Sequence, residues 1–291
     1  MAHDSPSATR AHAPAGGSWG RRCRAGWRIA RPLVVAYLAV VALAMIFENS
    51  LIYFPARYPA GQWSLPGVPI EDAWFQAADG TRLHGWYAEH KEPRAVVLFC
   101  HGNGGNVAYW GDALRRLYQD AGCSVLLFDY RGYGRSEGRP SEAGVLADAR
   151  AARTWLAQRA GVPPEQIVLM GRSLGGAVAV DLAADGGARA LVLESTFSSL
   201  PDVAAYHYSW LPVRLLVRTQ FDALAKIGRY HGPLLQSHST ADTIVPYQFG
   251  RRLFEAANEP KQFLTFGDSD HNDPPDRSYY QALAEFLDRL P

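Results

Sequence analysis

The sequence predicts an α/β fold in which a mostly parallel central sheet is covered by helices on both faces. Two observations indicate this class. Short apolar runs alternate with helix-forming stretches over residues 95–290, which is typical of parallel strands joined by helical crossovers. The apolar run at residues 167–170 ends in Gly-Arg-Ser-Leu-Gly-Gly and continues at once as an Ala-rich helical pattern. That stretch predicts a strand, a sharp turn at Ser173 and a helix.

The length and net charge of the chain further restrict its domain number and its possible partners. A chain of 291 residues with 48% hydrophobic content can bury one large core, and this fold class commonly holds that length as one domain. The net charge of +1 gives no electrostatic reason for a nucleic-acid partner, and we expect none. The oligomeric state is left open by the sequence.

The N-terminal region differs from the rest. Residues 1–28 predict a disordered basic tail. Residues 29–54 predict a signal anchor, because residues 33–47 carry no charge and arginines precede them, which places the N-terminus in the cytoplasm and residues 55–291 on the exported side. Two alternatives stay open. One is a signal peptide cleaved near Ala42-Leu43-Ala44, giving a secreted or periplasmic protein. The other is a helix packed on the domain or lying on a membrane surface.

The remaining elements are predicted in chain order. Residues 73–77 and 81–88 flank Asp79-Gly80 and predict a β-hairpin. Asn106 and Ser141 predict N-caps of two helices. Strands are expected at residues 95–100, 124–129, 190–194, 234–238 and 262–266, and the last two are followed by helices at 246–257 and 276–290. Residues 197–230 predict an irregular, partly helical cap.

Two cysteines lie at the ends of adjacent predicted strands. Cys100 ends one strand and Cys123 begins its parallel neighbour. Their Cα atoms should be about 16 Å apart, which is far beyond the reach of a disulfide. We therefore predict free thiols.

Ser173 is the candidate nucleophile. Small residues two positions before and after it permit a strained turn that projects the hydroxyl above the sheet, and the N–H of Leu174 then begins a helix. A serine hydroxyl needs a base, and the base needs an acid that orients it. Asp242 and His271 each follow a predicted strand, in that order. The order Ser, Asp, His favours this set as a triad.

A loop after the first central strand supplies a second donor for an oxyanion. Residues 101–106 have the sequence His-Gly-Asn-Gly-Gly-Asn, whose glycines allow the backbone to approach an acyl oxygen. We expect the N–H of Asn103 to donate, with Gly104 as the second choice.

At this point the chain resembles the α/β-hydrolases, specifically the membrane-anchored bud-emergence-type hydrolases and their mammalian α/β-hydrolase-domain relatives. The motifs that carry the resemblance are LIYFP at residues 51–55, HGNGGN at 101–106, DYRGYGRS at 129–136, GRSLGG at 171–176, ESTF at 194–197, DTIVP at 242–246 and HND at 271–273. The resemblance implies the α/β-hydrolase fold and hydrolysis of acyl esters or thioesters, with Ser173, Asp242 and His271 as the triad. We expect no cofactor. Ser239 departs from the family, which usually has Gly there.

Several residues compete for these roles. His101 is a rival base, and Glu194 is a rival triad acid because it ends the strand beside the nucleophile strand. We expect Arg172 either to attract anionic substrates or to form an ion pair with Glu194 or Asp129. Residues 268–272 match the D-x-D-x-N pattern that begins a calcium-binding loop. Asp273 stands where such a loop requires Gly, so we expect no metal.

The cap has two interpretations. Residues 197–230 predict a small packed cap, or else a surface on which Tyr206 and Trp210, with Leu211 and Leu215, line an acyl pocket or touch a bilayer. Partners are accordingly a small-molecule or lipid-like acyl substrate and a membrane reached through the N-terminal segment. Two alternative functions stay open: a peptidase of the same fold, and a catalytically silent, membrane-tethered binding protein.

Overall fold

A computed structural model describes Met1 and residues 19–290, with side chains described at Met1 and from residue 30 onward. The chain divides into two compact units, Met1–Ile46 and Phe47–Pro291. Helix α1, Trp19–Ile46, is the described element of the first unit. The predicted tail therefore falls partly on residues 2–18, outside the described residues, and partly on residues 19–28, which are helical.

Among the helices that the structure describes, none is both long enough and apolar enough to cross a membrane. The signal anchor predicted over residues 29–54 stays a prediction.

The second unit contains nine α-helices, a short 3-10 helix at Pro164–Gln166 and ten strands among its described residues. The strands are β1 (Phe54–Pro55), β2 (Ile70–Gln76), β3 (Arg82–Ala88), β4 (Val96–Cys100), β5 (Gly104–Gly105), β6 (Ser124–Asp129), β7 (Val168–Arg172), β8 (Ala190–Glu194), β9 (Leu234–Ser239) and β10 (Lys261–Phe266). The helices are α2 (Glu48–Ile52), α3 (Gly111–Gln119), α4 (Glu142–Ala160), α5 (Leu174–Gly186), α6 (Leu200–His207), α7 (Val213–Leu216), α8 (Leu224–Ile227), α9 (Tyr247–Ala256) and α10 (Arg277–Asp288).

Eight strands form one sheet in the order β10-β9-β8-β7-β4-β6-β3-β2. The hairpin strands β2 and β3 are antiparallel, and β3 pairs antiparallel with β6. All remaining neighbours are parallel. The predicted α/β class, with its N-terminal hairpin and mostly parallel sheet, is confirmed.

Apolar side chains of the central strands alternate between the two faces of the sheet. In β7, Leu169 belongs to one buried cluster, whereas Val168 and Met170 belong to the cluster on the other face. A strand covered on both faces has to be apolar throughout. This is why the central strands appear in the sequence as continuous apolar runs.

Two capping predictions had different outcomes. Ser141 accepts a hydrogen bond from the N–H of Gly144 at the start of α4, as expected. Asn106, however, does not cap a helix, since α3 begins only after Trp110. The Asn106 amide instead donates to the carbonyls of Ala56 and Ala60, at 3.0 and 2.9 Å. Its Oδ1 accepts from the N–H of Ala108 at 2.9 Å, so the side chain closes a local turn before α3 and also holds a distant segment.

The LIYFP motif at residues 51–55 does not continue helix α1. Phe54–Pro55 form the short strand β1, which pairs in parallel with Gly104–Gly105 of the loop after β4. The N–H of Phe54 donates to the carbonyl of Asn103 at 3.0 Å. This segment therefore fixes the loop that was expected to bind an oxyanion.

Cys100 and Cys123 are both free and buried, as predicted. The predicted cap contains the short helices α6, α7 and α8. Its buried side chains include Val203, Val213 and Phe221.

Candidate active site

The parallel strands β4, β7, β8, β9 and β10 all end at the same edge of the sheet. Ser173 directly follows β7, Asp242 follows β9 and His271 follows β10. Because neighbouring parallel strands bring their carboxyl ends together, side chains far apart in the sequence meet at this edge.

Ser173 occupies a sharp turn between β7 and α5. Its backbone has φ 54°, ψ −121°, which costs about 1–3 kcal/mol for a residue other than glycine. Glycines make the turn possible, because a Cβ at Gly171 would overlap the backbone of Gly175, and a Cβ at Gly176 would overlap Thr196. The turn places the serine hydroxyl beyond the strand end.

The three predicted triad residues lie in one chain of hydrogen bonds. The Ser173 hydroxyl lies 3.0 Å from His271 Nε2, and His271 Nδ1 lies 2.7 Å from Asp242 Oδ2. All three residues are buried. The nitrogen that faces the carboxylate carries the proton, so Nε2 is left free to accept the hydroxyl proton. This arrangement can activate a serine as a nucleophile.

Asp242 receives four donors. The N–H groups of Ile244 and Val245 donate to Oδ1 at 3.0 and 2.7 Å. His271 and His238 face Oδ2 at 2.7 and 3.2 Å. Burial alone would raise the pKa of this carboxyl, but the hydrogen bonds from His238 and His271 outweigh burial and hold the pKa well below its usual range. The carboxylate therefore stays charged opposite His271.

This low pKa predicts a pH-dependent contribution to stability. A carboxyl whose pKa is lower in the folded state stabilises fully above its unfolded pKa of about 3.9 and loses that contribution as pH falls. The difference in unfolding free energy between wild type and Asp242→Asn should shrink as the pH falls below about 4. Urea unfolding at a series of pH values measures it. A difference that stays constant or grows towards pH 3 would contradict the hydrogen-bonding account.

His238 also contacts the triad acid, although its role was not predicted from the sequence. Its Nε2 lies 2.8 Å from the carbonyl of Val245, which can only accept, so Nε2 carries a proton that also points towards Asp242. Its Nδ1 packs against Gly250, where any Cβ would overlap the ring. The sequence feature that could have indicated this role is the position of His238, four residues before Asp242. His238 is placed to position Asp242.

The predicted oxyanion donors lie at the same edge. Leu174 is the first residue of α5, and first-turn N–H groups have no acceptor within a helix. Asn103 has no acceptor for its N–H in the part of the chain that the structure describes, whereas its carbonyl accepts from the Tyr133 hydroxyl at 2.8 Å. Gly104 lies in β5. The oxyanion role of Leu174, Asn103 and Gly104 stays a prediction.

The alternative base His101 and the alternative acid Glu194 make other contacts. His101 Nδ1 donates to the carbonyl of Gly102 at 2.6 Å, and burial lowers its pKa. Glu194 is buried, and its Oε1 has no partner among the described residues. Burial raises the pKa of Glu194 although Arg172 opposes this. In the structure, Asp242 rather than Glu194 contacts His271.

Arg172 has a role that the sequence did not suggest. Neither Glu194 nor Asp129 forms an ion pair with it in the structure. Its guanidinium donates instead to the carbonyls of His271 and Asp273, at 2.7 and 2.8 Å. A residue adjacent to the nucleophile thus holds the loop that bears His271. The sequence could not show this, because these contacts join residues about a hundred positions apart.

The carboxylates around His271 also have structural partners. Asp270 Oδ1 accepts from the N–H groups of Thr243 and His271 at 2.9 and 2.7 Å. It therefore joins the loop of His271 to the turn of Asp242. In the described part of the chain, no group of three or more His, Cys, Asp or Glu residues is arranged to hold a metal.

Arg172→Gln is expected to lower kcat about 100-fold with little change in KM, because displacing the base by about 1 Å has an effect of this size. Steady-state kinetics on p-nitrophenyl acetate measures it. Arg189→Gln is the control, since Arg189 also donates to a backbone carbonyl, that of Arg94, but at the opposite edge of the sheet. Equal kcat values for the two variants would contradict a positioning role.

Tyr206 and Trp210, predicted to bind substrate, lie on the outer surface of the cap. They are 56% and 58% exposed. Tyr206 packs edge-on against Phe249 of α9, with ring centroids 6.0 Å apart. Their role in substrate binding stays a prediction.

Comparison with known proteins agrees with this architecture. The family described as the alpha/beta hydrolase fold matches residues 95–238. A protein of Mycobacterium tuberculosis is 42% identical over 92% of this chain and 96% of its own length. The alpha/beta hydrolase domain-containing protein WAV2 of Arabidopsis thaliana is 32% identical, covering 87% of this chain and 91% of that protein.

A solved structure has the same fold. An esterase of Pyrococcus furiosus superposes with a TM-score of 0.68 at 20% identity, covering 82% of this chain and 98% of its own. The family match over residues 95–238 and the relative at 32% identity show that the chain belongs to the α/β-hydrolase family.

Proposed function

We propose that this protein is a serine hydrolase that cleaves acyl esters or thioesters through Ser173, His271 and Asp242. One observation carries the proposal. The Ser173 hydroxyl, on a turn with φ 54°, lies 3.0 Å from His271 Nε2, and the other ring nitrogen lies 2.7 Å from Asp242. The esterase named above supports a hydrolase by its fold.

In the first half of the reaction, Ser173 Oγ attacks the acyl carbon while His271 Nε2 takes the hydroxyl proton. The N–H groups of Leu174 and Asn103 stabilise the negative charge that develops on the acyl oxygen. The bond to the alcohol or thiol then breaks, and His271 returns the proton to that leaving group. The product of this half is an acyl-Ser173 ester.

In the second half, water attacks the acyl-enzyme. His271 removes a proton from the water, and the acyl–Oγ bond breaks as the proton moves to Ser173. A carboxylic acid leaves, and the enzyme is regenerated. Asp242 keeps its charge throughout and stabilises the imidazolium of His271.

Covalent labelling tests the nucleophile. A fluorophosphonate probe should label wild type and fail to label Ser173→Ala, with the adduct mapped by mass spectrometry. Ser195→Ala is the matched control, because Ser195 also follows a strand at this edge and has φ 45°. Labelling that persists in Ser173→Ala, or disappears in Ser195→Ala, would refute the assignment.

The bond that is cleaved needs a separate experiment. Rates on p-nitrophenyl esters, acyl thioesters and aminoacyl anilides, each with acyl chains of increasing length, distinguish esterase, thioesterase and peptidase. We expect turnover of esters or thioesters with an acyl-enzyme burst. Faster hydrolysis of the anilides would instead indicate a peptidase.

A further inference from the structure

We propose that Tyr133 and the segment of residues 48–55 position the oxyanion loop, defined here as residues 101–106. Tyr133 is a positioning residue in this role, because it acts through Asn103. The inference deepens the hydrolase proposed above and rests on it, since it names the groups that hold the donors for the developing negative charge.

The backbone carbonyls of the oxyanion loop are all engaged. Each carbonyl from residue 101 to residue 106 accepts a hydrogen bond from another group of the described chain. The peptide bonds of this loop are trans, and in a trans peptide unit the carbonyl and the N–H point in opposite directions. A loop whose carbonyls all face protein donors therefore turns its N–H groups away from those donors. Such a loop can present N–H groups to an acyl oxygen.

Asn103 is tied to the rest of the chain through its carbonyl and its side chain. The carbonyl accepts from the Tyr133 hydroxyl at 2.8 Å and from the N–H of Phe54 at 3.0 Å. The side-chain amide donates to the carbonyl of Ile52 at 2.7 Å. The Asn103 carbonyl also belongs to the peptide unit that carries the N–H of Gly104. These three contacts therefore fix both candidate donors, the N–H groups of Asn103 and Gly104.

Tyr133 is placed to act as a fixed donor. Its side chain is fully buried, and its ring lies against the rings of Tyr130 and His101, with centroids 5.8 and 5.5 Å apart. Burial raises the pKa of the Tyr133 hydroxyl, so the hydroxyl stays protonated at neutral pH and can donate. Packing thus holds the ring in place, and the hydroxyl holds the Asn103 carbonyl.

The segment of residues 48–55 is itself held at both ends. At its start, the buried carboxylate of Glu48 accepts from the N–H groups of Arg218 and Thr219 in the cap, at 3.0 and 2.7 Å. At its end, β1 pairs with β5 of the oxyanion loop. The segment is therefore a support for the loop that is braced against the cap.

Tyr133→Phe in the full chain tests the first of these contacts. We expect kcat on p-nitrophenyl acetate to fall about tenfold, because the other two contacts still hold Asn103. KM should change little, since the hydrogen bond to the oxyanion is made only in the transition state. Affinity for a trifluoromethyl ketone, whose adduct with a serine carries an oxyanion, should fall by a similar factor. A purely structural role would lower stability without these changes.

Tyr130→Phe is the matched control. The Tyr130 hydroxyl donates to the carbonyl of His101 at 2.9 Å, in the same loop but two residues before Asn103. Tyr130 and Tyr133 are both buried, and both rings contact the imidazole of His101, so Phe keeps these contacts at either position. The two variants should therefore lose similar stability, whereas kcat of Tyr130→Phe should stay close to that of wild type.

Phe54→Pro tests the N-terminal segment, because proline has no N–H to donate. Tyr53 has φ −104° and ψ 128°, an extended conformation that a residue before proline adopts. Phe54→Ala is the control, since alanine keeps the N–H and removes only a ring that is 58% exposed. We expect Phe54→Pro, but not Phe54→Ala, to lower kcat about tenfold. Phe54→Pro combined with Tyr133→Phe should lower it about 100-fold.

Three outcomes would overturn the inference. Equal kcat values for Tyr133→Phe and Tyr130→Phe, or a change in KM alone, would remove the role of Tyr133. Equal kcat values for Phe54→Pro and Phe54→Ala would remove the role of the N-terminal segment. In these cases fluorophosphonate labelling of Ser173 in wild type would show that the hydrolase proposal still holds. Wild type that is neither labelled at Ser173 nor active on the ester would refute both proposals together.

Discussion

Replacing His271 by Ala is expected to lower kcat about 10⁶-fold, because serine hydrolases lose about that much when the base is removed. His271 Nε2 is the acceptor 3.0 Å from the Ser173 hydroxyl, and no other imidazole makes that contact among the described residues. Hydrolysis of a p-nitrophenyl ester measures the loss. Fluorophosphonate labelling should slow in parallel, since both reactions need the activated hydroxyl.

His207→Ala is the control for this variant. His207 contacts the turn of Asp242 only through the carbonyl of Ile244, so kcat on a soluble ester should change little. Added imidazole should restore part of the activity of His271→Ala by supplying a diffusible base. If His271→Ala kept activity within about 100-fold of wild type, another group would have to be the base.

Gly175→Ala is expected to destabilise the fold by about 3 kcal/mol or more. A Cβ at this position would overlap the carbonyl oxygens of Cys100 and His101. Those atoms belong to the backbone at the end of β4, a strand between β7 and β6 that is buried from Val97 to Cys100. They cannot move without disrupting the sheet, so the helix would have to shift. Urea unfolding and the yield of folded protein measure the effect.

Gly267→Ala is the matched control, because a Cβ at Gly267 would meet no atom within 4 Å. Its unfolding free energy should stay within about 0.5 kcal/mol of wild type. Equal stability of the two variants would show that the close approach of α5 to β4 is not required. The second glycine of the Gly-x-Ser-x-Gly motif would then need another explanation.

Much of the sheet could be predicted from local patterns. Ser124–Asp129 and Ala190–Glu194 have the predicted bounds, since strands buried on both faces leave a continuous apolar run between turn residues. Ser141 predicted its helix start correctly, because its hydroxyl bonds the backbone three residues away. Such interactions depend only on neighbours along the chain.

The candidate site was predicted in part. The strand ends locate Ser173, Asp242 and His271, and the structure brings these three together. His238 was missed and the contacts of Arg172 were assigned wrongly, since the partners of these residues lie across a turn or on a distant loop. Asn106 was assigned wrongly because α3 begins only after Trp110, and the Asn106 Oδ1 accepts instead from the N–H of Ala108 in a turn before the helix. The local sequence pattern had favoured Asn106 as the N-cap of α3.

The order of apolar runs and turns along the chain was therefore enough to establish the fold class and the three residues at the sheet edge. In a parallel sheet, the carboxyl ends of all strands lie at the same edge, whatever sequence connects them. The positioning of those residues depended on long-range packing. Arg172 holds the loop of His271, and β1 holds the loop of Asn103. Hydrogen bonds between distant segments leave no periodic signal, because they form only when the folded core has brought those segments together.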